Sequence, residues 1–256
     1  MRAALIVNRV TRDLDANLAH IMGDVRAAAD KGADLVVLPE MAATGLPEVN
    51  DPDRDLALGQ SIEGPLLRAF IGTARERSLH LAVGFMERVG GRLYDSAVLL
   101  SPGGRIILHY RRIHPGWHGP NADPHVYRHG DAVPVAATRL GRFAFLICGD
   151  LFDDSIIARV RTGKPDWLLF PFARCFSDGS YSQHRWEVEE LPNYVAQIKK
   201  VGCTALMVNY CSASDLGSYF GGAMVVSGSG ETVASLPLGE PGALFVDLPG
   251  PSVRRC

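Results

Sequence analysis

Apolar positions along the chain alternate between runs that read as strands and helical spacings. Ala3 to Val7 is a continuous apolar run and predicts a buried strand. Leu14, Leu18, Ile21, Val25 and Ala28 then recur at helical spacing, and Gly32 closes that helix. Asp34-Leu-Val-Val-Leu38 predicts a second buried strand, stopped at Pro39-Glu40. Pro65 to Ser78 predicts a helix with its proline near the first turn. His80 to Glu87 and Arg92 to Leu100 pattern as strands joined by Gly90-Gly91. Ser101-Pro-Gly-Gly104 then turns the chain into a strand over Ile106 to Tyr110.

The periodicity lapses from His114 to Pro134, a Pro-, Gly- and His-rich stretch that predicts a long loop over a site. Arg142-Phe-Ala-Phe-Leu-Ile147 predicts a buried strand between Gly141 and Gly149, and Asp153 to Val160 a helix with acidic residues in its first turn. Trp167-Leu-Leu-Phe170 predicts a strand stopped by Pro171. Gln183 to Lys200 predicts one helix with Pro192 as its only breaker. Thr204 to Asn209 is a strand, followed by three short ones over Gly222 to Val226, Glu231 to Leu236 and Ala243 to Leu248. βαβ units favour parallel pairing and hairpins antiparallel pairing, so this order predicts an α/β fold with mixed sheets covered by helices. With no linker or internal repeat, a single domain over residues 1–256 is expected.

Composition narrows the function classes. The chain is 47% hydrophobic and 21% charged, with a formal net charge of −2, which suits a globular protein and argues against a nucleic-acid footprint. The tight basic pairs Arg111-Arg112, Lys199-Lys200 and Arg254-Arg255 read as solvated surface. Five cysteines, Cys148, Cys175, Cys203, Cys211 and Cys256, with no CxxC spacing suggest neither a disulfide framework nor a zinc site. The apolar start is too short for a signal peptide, and no run approaches the roughly 20 residues of a membrane span. A cytoplasmic protein without membrane or nucleic-acid partners is expected, and no metal or cofactor motif is present.

Three polar residues end apolar strands. Cys148 ends one and precedes a helix start, where a thiolate is stabilised and exposed, although a buried structural cysteine fits the local sequence equally well. Glu40 ends another, where partial desolvation raises a carboxyl toward the range of a general base; taken alone it reads first as a solvated loop residue. Arg112 follows a third, where a cation could hold an oxyanion or simply face water.

Leu38-Pro-Glu-Met41, Tyr110-Arg-Arg-Ile-His114, Ile147-Cys-Gly-Asp150 and Tyr219-Phe-Gly-Gly222 together resemble the ordered signatures of the nitrilase superfamily, the carbon–nitrogen hydrolases. Gly130-Asp131, His184-Arg-Trp186 and Val208-Asn209 extend the resemblance over nearly the whole chain. It implies a four-layer α-β-β-α sandwich with two mixed sheets, assembled as a homodimer or higher homo-oligomer. It implies a cofactor-independent hydrolase of a small amide or nitrile substrate, with Cys148 as nucleophile, Glu40 as general base and the Gly149 N–H in the oxyanion hole.

The sequence departs from the family in two places. The family's catalytic lysine falls on Arg112, which keeps the charge but cannot exchange a proton at ordinary pH. The family's supporting glutamate falls on Asp123, one methylene shorter; a shorter acid beside a longer base could be a compensating pair. Trp117, Tyr181 and Trp186 fall in segments that border the family's pocket, and Cys175 follows a strand tip; each could pack instead of touching substrate. An amidase, a drifted binding protein and an acyltransferase using the same thioester are all compatible with these residues.

Overall fold

The computed structural model describes residues 1–47, 50–213 and 216–250; Cys256 and the Arg254-Arg255 pair lie outside the described residues. Two large mixed sheets stack face to face. The first runs, in spatial order, Gly242–Asp247, Arg2–Val7, Leu35–Val37, His80–Val89, Arg92–Leu100 and Ile106–Arg111, with Tyr127–Arg128 paired beside Arg92–Leu100. The second runs Thr232–Leu236, Ala223–Val226, Thr204–Asn209, Trp167–Phe172, Gly141–Phe145 and Val135–Thr138. Strands joined through helices pair in parallel, Arg2–Val7 with Leu35–Val37 and Trp167–Phe172 with Thr204–Asn209, while hairpins pair antiparallel.

Both faces of the central strands are buried, which is why they read as continuous apolar runs. In the first sheet Leu5, Val37, Ala97 and Leu99 face inward and meet Phe145, Leu169 and Leu206 of the second. Their neighbours Ile6, Val36, Val98 and Leu100 face outward, beneath helices Leu14–Asp30 and Pro65–Glu76. Helices Asp154–Gly163 and Leu191–Val201 cover the second sheet through Ile156, Val160, Tyr194 and Ile198. The result is the α-β-β-α sandwich.

Pro171 does not stop its strand. Trp167–Phe172 runs through it, and Pro171 pairs opposite Val208. The flanking Gly141–Phe145 strand pairs only as far as Leu169, so the N–H that Pro171 lacks has no strand to meet on that side. Nor is Gln183 to Lys200 one regular helix. A short turn, Gln183–Arg185, leads into a π turn, Trp186–Glu190, and then into Leu191–Val201. The wider turn places Pro192 in a first helical turn, where no N–H is required of it. The last strands divide between the sheets: Gly242–Asp247 crosses over to pair antiparallel with Arg2–Val7. A short helix, Pro52–Leu58, capped by the Asp51 side chain, shows no periodic pattern in the sequence.

Candidate active site

Glu40 stands three residues beyond the end of Leu35–Val37 and is fully buried. Met41 after it is left-handed (φ 43°), so the chain turns sharply there. The turn lies on Gly84 of the adjacent strand. A Cβ at Gly84 would stand 2.3 Å from the Pro39 carbonyl oxygen and 2.9 Å from Glu40 Cα, so only glycine lets the turn settle. Cys148 sits in a matching turn. Its own φ is 45°, and it opens a short 3-10 segment, Cys148–Phe152, just past Gly141–Phe145. Strain of this kind persists only where the surroundings enforce it.

Asp150 supplies the enforcement. It is fully buried, and its carboxylate accepts from the Ile147 N–H (3.0 Å), the Ile113 N–H (3.1 Å), the His114 N–H (2.7 Å) and the Tyr110 hydroxyl (2.7 Å). One side chain thereby ties the cysteine turn to the end of Ile106–Arg111. From that strand end Arg112, 3% exposed, donates Nη1–H to Glu40 Oε1 (2.9 Å) and Nε–H to the His114 carbonyl (3.1 Å). Its Nη2 lies against Gly149: a Cβ there would be 2.7 Å from it and 2.7 Å from His114 Nδ1. The Cys148 thiol points at the Ala173 carbonyl (3.7 Å). Asn209 holds that segment by donating to the Arg174 carbonyl (3.0 Å) and accepting from the Arg174 N–H (3.1 Å).

A second buried acid completes the cluster. Asp95 Oδ2 is 3.4 Å from the same Arg112 Nη1. Burial pushes Glu40 up to about 8, and the Cys148 charge adds to this, against the pull of Arg112. Burial likewise drives Asp95 well above the usual carboxylate range, reinforced by Glu40. Burial works against the Arg112 cation, but Cys148, Glu40 and Asp95 outweigh it and hold the guanidinium charged. Burial pushes the Tyr194 and Tyr219 phenols up, and nearby anionic groups add to it, Cys148 first for Tyr194 and Cys175 first for Tyr219.

The carbon–nitrogen hydrolase family model matches residues 2–256. The chain belongs to the carbon–nitrogen hydrolase family. It is 26% identical over 272 residues to a hydrolase of Schizosaccharomyces pombe, an alignment spanning 98% of this chain and 77% of that protein. It is 30% identical over 154 residues to an (R)-stereoselective amidase of Pseudomonas sp., covering 57% of this chain and 51% of the amidase. Among solved structures, an amidase of Nesterenkonia sp. AN1 superposes with a TM-score of 0.78 at 23% identity, over 97% of this chain and 93% of that one. A carbon–nitrogen hydrolase of Helicobacter pylori superposes at 0.84 and 18% identity, over 96% and 88%. At such identities the superpositions show the fold shared within the superfamily.

Of the residues singled out in the sequence, the structure gathers Glu40, Arg112, Cys148 and Gly149 into one cluster. It does not bring Asp123 there. That side chain is exposed and caps its own turn by accepting from the His125 N–H (2.8 Å), so it forms no pair with the buried Arg112. Tyr181 is 56% exposed, with its hydroxyl against Gly239. Trp186 is core, stacked on Phe172 (6.2 Å) and tilted against Tyr194 (5.2 Å). Trp117 packs under the loop with Met41, Met86 and Tyr127. Cys175 lies in a bridge opposite Tyr219, and burial pushes its thiol up. Sequence reasoning missed Asp95 and Asp150. Asp95 shares its strand face with Ala97 and Leu99, so an acid at an inward position was a legible signal. The role of Asp150 was not legible, because three of its four partners, Tyr110, Ile113 and His114, lie far away in the chain.

Proposed function

We propose that this chain is an amidase that cleaves a small linear amide through a thioester at Cys148. Glu40 takes the thiol proton while sulfur adds to the amide carbon. The oxygen that becomes anionic is stabilised by the Gly149 N–H and by Arg112. Glu40 returns its proton to the nitrogen as the C–N bond breaks, and ammonia or an amine departs. Glu40 then deprotonates water, which adds to the thioester; the acid leaves and the thiol re-forms. This chemistry calls for no cofactor. The observation that carries the reading is that one guanidinium spans from the base to the cysteine turn, Nη1 at 2.9 Å from Glu40 Oε1 and Nη2 against Gly149. The family's amidase members support the choice of amide, among them the Pseudomonas enzyme and the Nesterenkonia amidase, whose active-site cysteine is described with acrylamide added to it.

The test is intact mass spectrometry after incubation with short aliphatic amides and esters, alongside alkylation by iodoacetamide. An acyl adduct on Cys148, with alkylation there faster than at Cys175, Cys203 or Cys211, is expected. Absence of both leaves a small-molecule binding protein. Turnover that accelerates with added amine acceptors points to acyl transfer instead of hydrolysis.

A further inference from the structure

The charge count around Arg112 is incomplete if both of its carboxyl partners are ionised. Glu40 Oε1 and Asp95 Oδ2 share Nη1, at 2.9 and 3.4 Å. The other oxygen of each, Glu40 Oε2 and Asp95 Oδ1, is buried without a hydrogen-bond partner. Two anions would then leave two bare anionic oxygens and one excess negative charge among buried groups. Arg112 cannot correct this by exchanging a proton. A proton on one carboxyl does, and its O–H can satisfy an oxygen of the other.

We propose that Glu40 and Asp95 hold one proton between them, resting on Asp95, and that Asp95 is thereby a positioning residue that frees the Arg112 charge for the reaction. The proposal rests on the thiol-hydrolase reading of this cluster. In the reactive form of the enzyme, populated as Glu40 ionises near 8, Glu40 is anionic, Asp95 neutral, Arg112 cationic and the thiol neutral. When Glu40 takes the thiol proton, both carboxyls are neutral and Arg112 faces the sulfur anion alone. Were Asp95 ionised, it would claim the cation at the moment the thiolate and oxyanion need it. The charged and titratable groups facing Asp95 are Glu40 on its turn, Arg112 beyond the neighbouring strand, Asp150 in the cysteine turn and the Tyr110 phenol. Arg112 is the one cation among them. The arrangement gives the site a movable proton, which the arginine itself cannot supply.

Infrared difference spectra of the whole chain, taken at a pH just above the Glu40 value of about 8, test the shared proton without turnover. Asp95→Asn is expected to lose one neutral carboxylic acid band and no carboxylate band. Glu40→Gln is expected to lose the same neutral band, because Asp95 then ionises against Arg112. Loss of a carboxylate band in Asp95→Asn, or survival of the neutral band in Glu40→Gln, overturns the proposal. In turnover, Asp95→Asn keeps the neutral shape and is expected to cost kcat about tenfold, against about a thousandfold for Asp95→Ala. The wild-type alkaline decline, caused by loss of the shared proton, should vanish in Asp95→Asn. Equal losses in the two variants, or an unchanged alkaline decline, also overturn it. A neutral band with no acyl adduct on Cys148 leaves the shared proton standing and rejects the amidase reading.

Discussion

Arg111 and Arg112 are adjacent, yet they hold two carboxylates in opposite states. Arg111 faces outward and binds Glu87 through Nε (2.8 Å) and Nη2 (2.7 Å); His109 (2.9 Å) and Ser96 (2.7 Å) bind it as well. Arg112 faces inward and gives Glu40 one bond, leaving Oε2 bare. Both carboxylates are almost fully buried, at 1% and 0% exposure. Burial pushes Glu87 up, but Arg111, His109 and Ser96 outweigh it and bring the group down to about 2. Burial pushes Glu40 up to about 8, with too few donors to oppose it and the Cys148 charge adding to it. Burial alone therefore does not make a base. A buried carboxylate saturated with donors is a structural anchor; one left short of donors, near other anions, is poised to take a proton.

The contrast can be broken from either side. The largest effect is expected at the unsaturated acid: Glu40→Gln should lower kcat by about 10² to 10⁴ in an amide hydrolysis assay. The same variant should be more stable in alkali. Glu40 ionises near 4.5 when unfolded and near 8 when folded, so it lowers stability as pH rises between those values. The melting temperature of Glu40→Gln at pH 8 should exceed that of the wild type by at least about 2 to 4 °C. A lower value would mean that Glu40 is a structural anchor like Glu87.

Glu87 should behave in the opposite way. Its folded value lies below the unfolded one, so its contribution is present above about 4.5 and is lost as pH falls toward about 2. Glu87→Gln should cost about 2 kcal/mol at pH 7, a figure discounted because Arg111 and His109 are partly solvated. It should also flatten acid unfolding between those pH values, with kcat changed less than about threefold. A variant that loses turnover while keeping its acid profile would reverse the assignment.

The smallest effects concern coupling. Arg112→Lys with Asp95→Asn should depart from additivity in kcat/KM by more than about 1 kcal/mol, because the two residues touch. Arg112→Lys with Asp123→Glu should add within about 0.5 kcal/mol, because Asp123 faces solvent. Coupling at Asp123 in place of Asp95 would show that the 114–134 loop closes over the site during turnover.

Much of this was legible in the chain. Local hydrophobic runs and spacings dictated most strands and helices, since a strand buried on both faces must be apolar throughout. The strand-tip positions of Glu40, Arg112 and Cys148, with the ordered motifs around them, marked the family and its candidate chemistry. Misreadings occurred where a local rule met a tertiary exception. Pro171 was tolerated because its neighbour strand ends at Leu169, and Pro192 was absorbed by a π turn. Only the folded structure decided which acid accompanies Arg112. Asp123 and Asp95 are both aspartates in reach of a plausible story; strand register buries Asp95 against Nη1 and leaves Asp123 in water. Charge and sequence order are properties of the chain. Desolvation and hydrogen-bond supply, which set Glu87 near 2 and Glu40 near 8, exist only once distant strands have packed together.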